Sequence, residues 1–199
     1  VRYLLALLLL VTGWPDGRAA EPLAGSAEVV TNQLGAFTRT RPRGTMEPVR
    51  LFFDDGALRM HFRDSAGGDY ALLLPAGSPV GWVTAANGGA MPVPRMRWPL
   101  WFDPAAPCQG QGMFADCQRL EAGIRAGRNA VRWRYRLPNA TGPGMTGQGS
   151  MWLDVETGLV LAYEGRGGLG PEQRWEVRRV QYGPQPQGLF DPPPEAAGR

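Results

Sequence analysis

Val131-Arg132-Trp133-Arg134-Tyr135-Arg136-Leu137 decides the fold class. Val131, Trp133, Tyr135 and Leu137 share one parity, and the three arginines share the other. Successive side chains of a strand point to opposite faces, so this run reads as a half-buried antiparallel strand with an arginine-lined solvent face. Leu58, Met60 and Phe62 alternate with Arg59, His61 and Arg63 in the same way. Asp54-Asp55-Gly56 joins that run to residues 49–53 and reads as a hairpin turn. Residues 70–74 and the short Trp82-Val83-Thr84 follow, the latter stopped by Asn87-Gly88-Gly89. Further on, residues 150–154 and 159–164 flank Val155-Glu156-Thr157-Gly158 as a second hairpin. In Gln173–Tyr182, Trp175 and Val177 take one parity while Val180 and Tyr182 take the other. A β-bulge at Arg178-Arg179 is therefore expected.

Helix signals are few. Val30, Leu34 and Phe37 fit an i, i+4, i+7 stripe that Ser26 would cap, although Gly35 weakens it. Residues 94–117 read as an irregular middle segment in which Pro99 and Pro104 limit any helical turn. The expected fold class is all-β and mainly antiparallel. It comprises eight to ten strands in a strongly curved meander sheet or incomplete β-barrel with little helix, preceded by a signal peptide. The expected organisation is a signal peptide over 1–19, a single β domain over 20–182 and a Pro-rich, extended or frayed tail over 183–199.

The leader reading rests on Arg2, the nine apolar residues from Tyr3 to Val11, the breakers Gly13 and Pro15, and the small-x-small step Gly17-Arg18-Ala19. An apolar run of that length falls short of the roughly 20 residues that a membrane span needs. No other long apolar run exists, so no membrane span is expected in the mature chain. A periplasmic or secreted location follows. In that compartment Cys108 and Cys117, the only cysteines, read as one local disulfide.

All 21 basic residues of the 199 are arginine, and they stand against 18 acids and one His. Without lysine there is no Schiff-base chemistry and no P-loop. A single His excludes multi-His metal sites, and no metal or cofactor is expected. A formal net charge of +3 with interspersed acids is too low for a nucleic-acid binder, so no nucleic acid is expected. Gly165-Arg166-Gly167-Gly168-Leu169-Gly170 matches G-x-G-x-x-G, but Pro171 and a strand follow where a dinucleotide site requires a helix. The stretch reads as a hairpin loop. His61 reads as a solvated strand residue with no oriented partner, so no catalytic residue is assigned. The arginine ladder Arg132, Arg134 and Arg136 reads as a solvated face, open to an anionic headgroup or an acidic partner.

Six of the seven tryptophans lie beyond the leader. Trp133, Trp152 and Trp175 fall on three candidate neighbouring strands, so one face is expected to carry a continuous aromatic lining. Such a lining must close on itself, receive a plug or hold an apolar ligand.

Met151-Trp152-Leu153-Asp154-Val155-Glu156-Thr157-Gly158-Leu159 and Gly188-Leu189-Phe190-Asp191-Pro192-Pro193 resemble the periplasmic LolA-like superfamily, that of the outer-membrane lipoprotein carrier. There a strand carries W-x-D-x-x-T-G and F-x-x-P comes near the end. Trp152, Asp154, Thr157 and Gly158 match the first pattern, and Phe190 and Pro193 the second. Asp54-Asp55-Gly56 resembles one of the family's hairpin turns. The resemblance covers roughly residues 45–195 by this strand reading. It implies a curved antiparallel sheet with a covered concave face that holds acyl chains. Residues 30–37 are the one candidate here for such a cover.

Two functions stand ahead of a third, a hydrolase using carboxylates alone. In the first, a non-enzymatic periplasmic protein holds a lipid, acyl chain or other amphiphile on the concave face through Trp133, Tyr135, Trp152, Leu161 and Trp175. In the second, a structural or adaptor protein with a filled core meets a periplasmic protein partner through its arginine face or Pro-rich tail.

Overall fold

The computed structural model describes residues 23–36, 44–63, 67–94 and 98–194. The leader therefore lies outside the described residues, as does Phe37. Eleven strands form one antiparallel sheet in the order β6-β5-β4-β3-β2-β1-β11-β10-β9-β8-β7. They are β1 (Ala24–Thr31), β2 (Glu47–Asp54), β3 (Ala57–Arg63), β4 (Asp69–Leu74), β5 (Val80–Ala85), β6 (Ala90–Pro94), β7 (Asp116–Arg125), β8 (Arg128–Arg136), β9 (Gln148–Asp154), β10 (Val160–Arg166) and β11 (Gln173–Tyr182). Strands β1 to β6 walk outward from the centre in consecutive hairpins. The chain then crosses to the far edge, and β7 to β11 walk back until β11 pairs with β1. β6 and β7 remain edges, so the sheet is an open meander and not a closed barrel.

The expected hairpins are present. Leu51 faces Met60 across β2–β3, and Met151 faces Tyr163 across β9–β10. The bulge in β11 is also where the parity switch put it: Val29 pairs with Val177 but Glu28 with Arg179, leaving Arg178 as the extra residue. The G-x-G-x-x-G stretch ends β10 and turns into β11.

Three strands were not anticipated. The expected helix over residues 30–37 is instead the end of β1 followed by a 3-10 turn, Gln33–Ala36. Ala27 and Val29 face the core with period two, and pairing to both β2 and β11 overrides the weak 3.6-residue stripe. β6 carries Pro92 and Pro94, which an edge strand tolerates. β7 has almost no buried position, so it shows no hydrophobic alternation. Over the described part of the tail, Arg59 donates to the Leu189 carbonyl at 2.8 Å, and the amides of Leu189 and Asp191 close turns.

One face of the sheet holds the core, with Phe53, Met60, Leu72, Met151, Tyr163 and Trp175 almost wholly buried. Among the described residues its cover is not a helix but the crossing segment. Residues 98–102 lie along this inner face as a strap. The Val160 amide donates to the Leu100 carbonyl at 2.8 Å, and the Phe102 amide donates to the Gly158 carbonyl at 3.0 Å. Leu100 is fully buried, Trp98 packs 6.3 Å from Trp175, and Trp101 meets Phe53 edge-on at 5.5 Å. Gly158 stands at φ +70°, and a Cβ there would lie 2.1 Å from the Phe102 carbonyl oxygen. Glycine at this position is what lets the strap reach the β9–β10 turn.

Candidate functional site

Cross-strand register sorts the expected ligand residues onto two faces. Trp133 pairs with Met151, Met151 with Tyr163, and Tyr163 with Trp175, so Trp133 and Trp175 share the inner face. Tyr135 is two residues from Trp133 and shares that face. Leu161 lies at the irregularity between Val160 and Ala162 and is fully buried. Trp152 pairs with Arg132 and Ala162, which puts it on the outer face. The expectation of one continuous lining through Trp133, Trp152 and Trp175 is corrected here: adjacent positions on a strand point opposite ways, and Trp152 is next to Met151.

The inner residues are packed against protein. Tyr163 stacks on Trp175 with centroids 6.3 Å apart, and Trp98 closes over them. Tyr135 bonds Thr146, and Tyr163 donates to Gln33, whose amide nitrogen reaches the Gly144 carbonyl at 3.0 Å. Burial pushes the Tyr135 hydroxyl up to about 12 and Tyr163 well above its ordinary value. Both therefore stay neutral. Four buried indole N–H groups, on Trp98, Trp101, Trp133 and Trp175, have no acceptor among the described residues.

On the outer face, Trp152 lies under Arg125, whose guanidinium carbon is 4.2 Å from the ring centroid, with Arg132 at 6.0 Å. Gly123 leaves room for the ring, since a Cβ there would meet it at 3.3 Å. Arg132 pairs with Glu121 at 3.1 Å and donates to Ser150 at 3.3 Å. Beside this cluster an open groove of about 740 Å³ is bordered by Asp116, Leu120, Arg132, Arg134, Arg136 and Arg166. A second groove of about 420 Å³, also reaching Trp152 and Arg132, continues it toward Arg174. Arg119, Arg134 and Arg136 make no ion pair among the described residues. The ladder that the sequence placed on a solvent face is thus the wall of a polar groove.

His61 is half-buried rather than freely solvated. Its Nε2 accepts from Arg59 Nε at 2.8 Å, and Phe52 stands edge-on at 5.4 Å. Burial, then Arg59 and Arg50, hold its pKa below the ordinary value, so it is a neutral acceptor. Among the described residues no group of His, Cys, Asp and Glu is placed to hold a metal ion, and no helix is long and apolar enough to cross a membrane.

Sequence reading missed two features. The Cys108–Cys117 disulfide, with Cα atoms 5.7 Å apart, forms as expected, but its loop presents Met113 and Phe114 almost fully to solvent. The strap was legible only as an irregular segment, although Trp98, Leu100 and Phe102 alternate within it.

No model of a known protein family matches the chain, and no curated protein matches it. Among solved structures, the chain is similar to MucB at 17% identity, over 83% of this chain and 55% of that one, with a TM-score of 0.43. It is similar to a chain of the Pseudomonas aeruginosa MucA/MucB complex at 17% identity, over 83% of this chain and 54% of that one, with a TM-score of 0.42. The chain spans about half the length of the MucB chains it matches. A LolA superfamily protein from Nitrosomonas europaea is similar at 9% identity, over 86% of this chain and 90% of that one, with a TM-score of 0.37. The last belongs to the superfamily that the sequence motifs resemble. Likeness at this level assigns neither activity nor ligand.

Proposed function

We propose that this chain is an exported, non-enzymatic adaptor that meets an acidic protein partner in the periplasm through the arginine-rich outer face of β7–β10. The observation that carries this reading is the contrast between the two faces. The inner face is filled by the strap, with Leu100, Leu161 and Trp175 at 1% exposure or less. The outer face holds an open groove walled by Arg132, Arg134, Arg136 and Arg166. Arg132 and Arg166 already hold Glu121 and Glu172, whereas Arg134 and Arg136 make no ion pair among the described residues; such guanidinium groups favour carboxylates, which they bind through parallel N–H donors. Export is supported by the leader composition and by the local disulfide.

A second reading keeps the inner face as a site for an amphiphile beneath the strap, contacted by Trp133, Tyr135, Leu161 and Trp175. The four indole N–H groups without acceptors favour it, because a buried unmet donor costs about 1–3 kcal/mol and an ester or headgroup oxygen would satisfy it. Native mass spectrometry of the exported protein, paired with a fluorescent acyl-chain probe, separates the two. The adaptor reading expects no bound amphiphile, no saturable probe binding, and a loss of about 3 kcal/mol of stability for Trp133→Ala. Co-purified amphiphile, with probe binding that Trp133→Ala weakens while the protein stays folded, overturns it in favour of the second.

A further inference from the structure

The two edges of the sheet are unlike. β6 is five residues long and carries Pro92 and Pro94, which cannot donate to a further strand. β7 is ten residues long, contains no proline and among the described residues pairs only with β8. No backbone group of β7 bonds outward to another backbone group among the described residues; the Ile124 carbonyl takes only the Arg125 side chain, at 3.2 Å. Ala126 and Gly127, at φ +50° and +75°, form a two-residue turn between the paired Arg125 and Arg128. In such a hairpin the pair flanking the turn exchanges both bonds, and alternation then points the N–H and C=O of Ile124 and Ala122 away from β8.

From this edge we infer that an extended acidic segment of the partner adds to the sheet as a further strand along Asp116–Arg125. The inference rests on the adaptor reading and gives it a binding mode. Backbone pairing supplies affinity in this mode, and alternate side chains supply selectivity. Leu120 and Ile124 are exposed along the edge and offer the apolar steps, and Met113 and Phe114 extend them across the disulfide-tied loop. Charge chooses the occupant. Residues 116–136 hold six arginines and two carboxylates, so the β7–β8 hairpin alone exceeds the net charge of the whole chain. A second copy would bring like charge to the same edge, whereas the outer-face carboxylates of an acidic strand would lie toward Arg134 and Arg136, which pair with Gln118 and Asp116 of β7.

The test uses the exported protein and an end-blocked peptide of alternating valine and glutamate, followed by fluorescence anisotropy and by hydrogen exchange. The expected result is saturable binding that weakens with salt, slowed exchange at the Ala122 and Ile124 amides, and no binding of the valine–lysine counterpart. Ala122→Pro removes an outward N–H and no ladder bond, so it should lower affinity about tenfold or more with the fold retained. The same peptide N-methylated at alternate residues makes the equivalent test on the unaltered protein and should lose affinity likewise. If both modifications bind normally while Arg134→Glu with Arg136→Glu abolishes binding, the edge inference fails and the adaptor reading stands. No binding of the acidic peptide at about 1 mM overturns both. A dimer that Ala122→Pro dissolves gives the edge to a second copy, and sedimentation with phosphatidylglycerol vesicles without peptide binding gives it to a membrane; either overturns the inference.

Discussion

Arg128, Tyr182 and the Glu156 amide converge on the Asp154 carboxylate. Arg128 Nε and the Tyr182 hydroxyl donate to Oδ2 at 2.8 and 2.9 Å, and the Glu156 amide donates to Oδ1 at 2.9 Å. Thr157 then bonds the Tyr182 hydroxyl at 2.8 Å. The W-x-D-x-x-T-G stretch is therefore a fastening in this molecule: Asp154 and Thr157 tie the β9–β10 turn to β8 and β11, and Gly158 admits the strap. Burial pushes the Asp154 pKa up, but Arg128, the Glu156 amide and Tyr182 outweigh it, and the group titrates below its ordinary value. A depressed carboxylate pKa gives stability that is present above the unfolded value, about 3.9, and lost as pH falls through the folded one. Asp154→Ala should cost about 2–4 kcal/mol at neutral pH, and chemical denaturation should show the gap to the parent protein closing below about pH 3.9.

β7 and the loop before it show how an element can be set by something other than burial. The strand has little apolar contact of its own, yet Cys117 at its start is tied to Cys108 and lies opposite Tyr135. Closing a loop of about ten residues removes about 2.5–3 kcal/mol of chain entropy from the unfolded state. Both thiols should resist alkylation in the native exported protein and react after reduction. Replacing both cysteines with serine should lower stability by about that amount, measured by denaturant unfolding. Free thiols in fresh material, or an unchanged midpoint, would count against this role. β11 is the contrasting case, a strand whose own side chains dictate its form. Trp175 and Val177 point inward, and the extra Arg178 shifts register so that Val180 and Tyr182 meet the same face.

At the scale of the molecule, the first and last strands meet at the centre of the sheet. β1 pairs with β11, so neither half of the meander completes its core until the last strand arrives. The proposed export would place this disulfide-tied chain in an oxidising compartment, where such bridges persist. Replacing Leu7 and Leu8 with arginine should abolish export by breaking the apolar run, read as loss of the protein from the periplasmic fraction; unchanged periplasmic yield would refute the leader. The all-β class, the hairpins at Asp54-Asp55-Gly56 and residues 155–158 and the bulge in β11 were legible in the sequence because each depends on side-chain parity or turn chemistry within a few residues, and the disulfide because the only two cysteines lie nine positions apart. Tertiary structure alone decided that Ala24–Thr31 is a strand, since two neighbours' ladders outweigh a weak helical stripe. It also decided that Trp152 turns away from Trp133 and Trp175, because the facing of each strand is fixed by cross-strand register. And it decided that residues 98–102 fill the inner face, because a cover contributed by a distant, irregular segment leaves no local period to read.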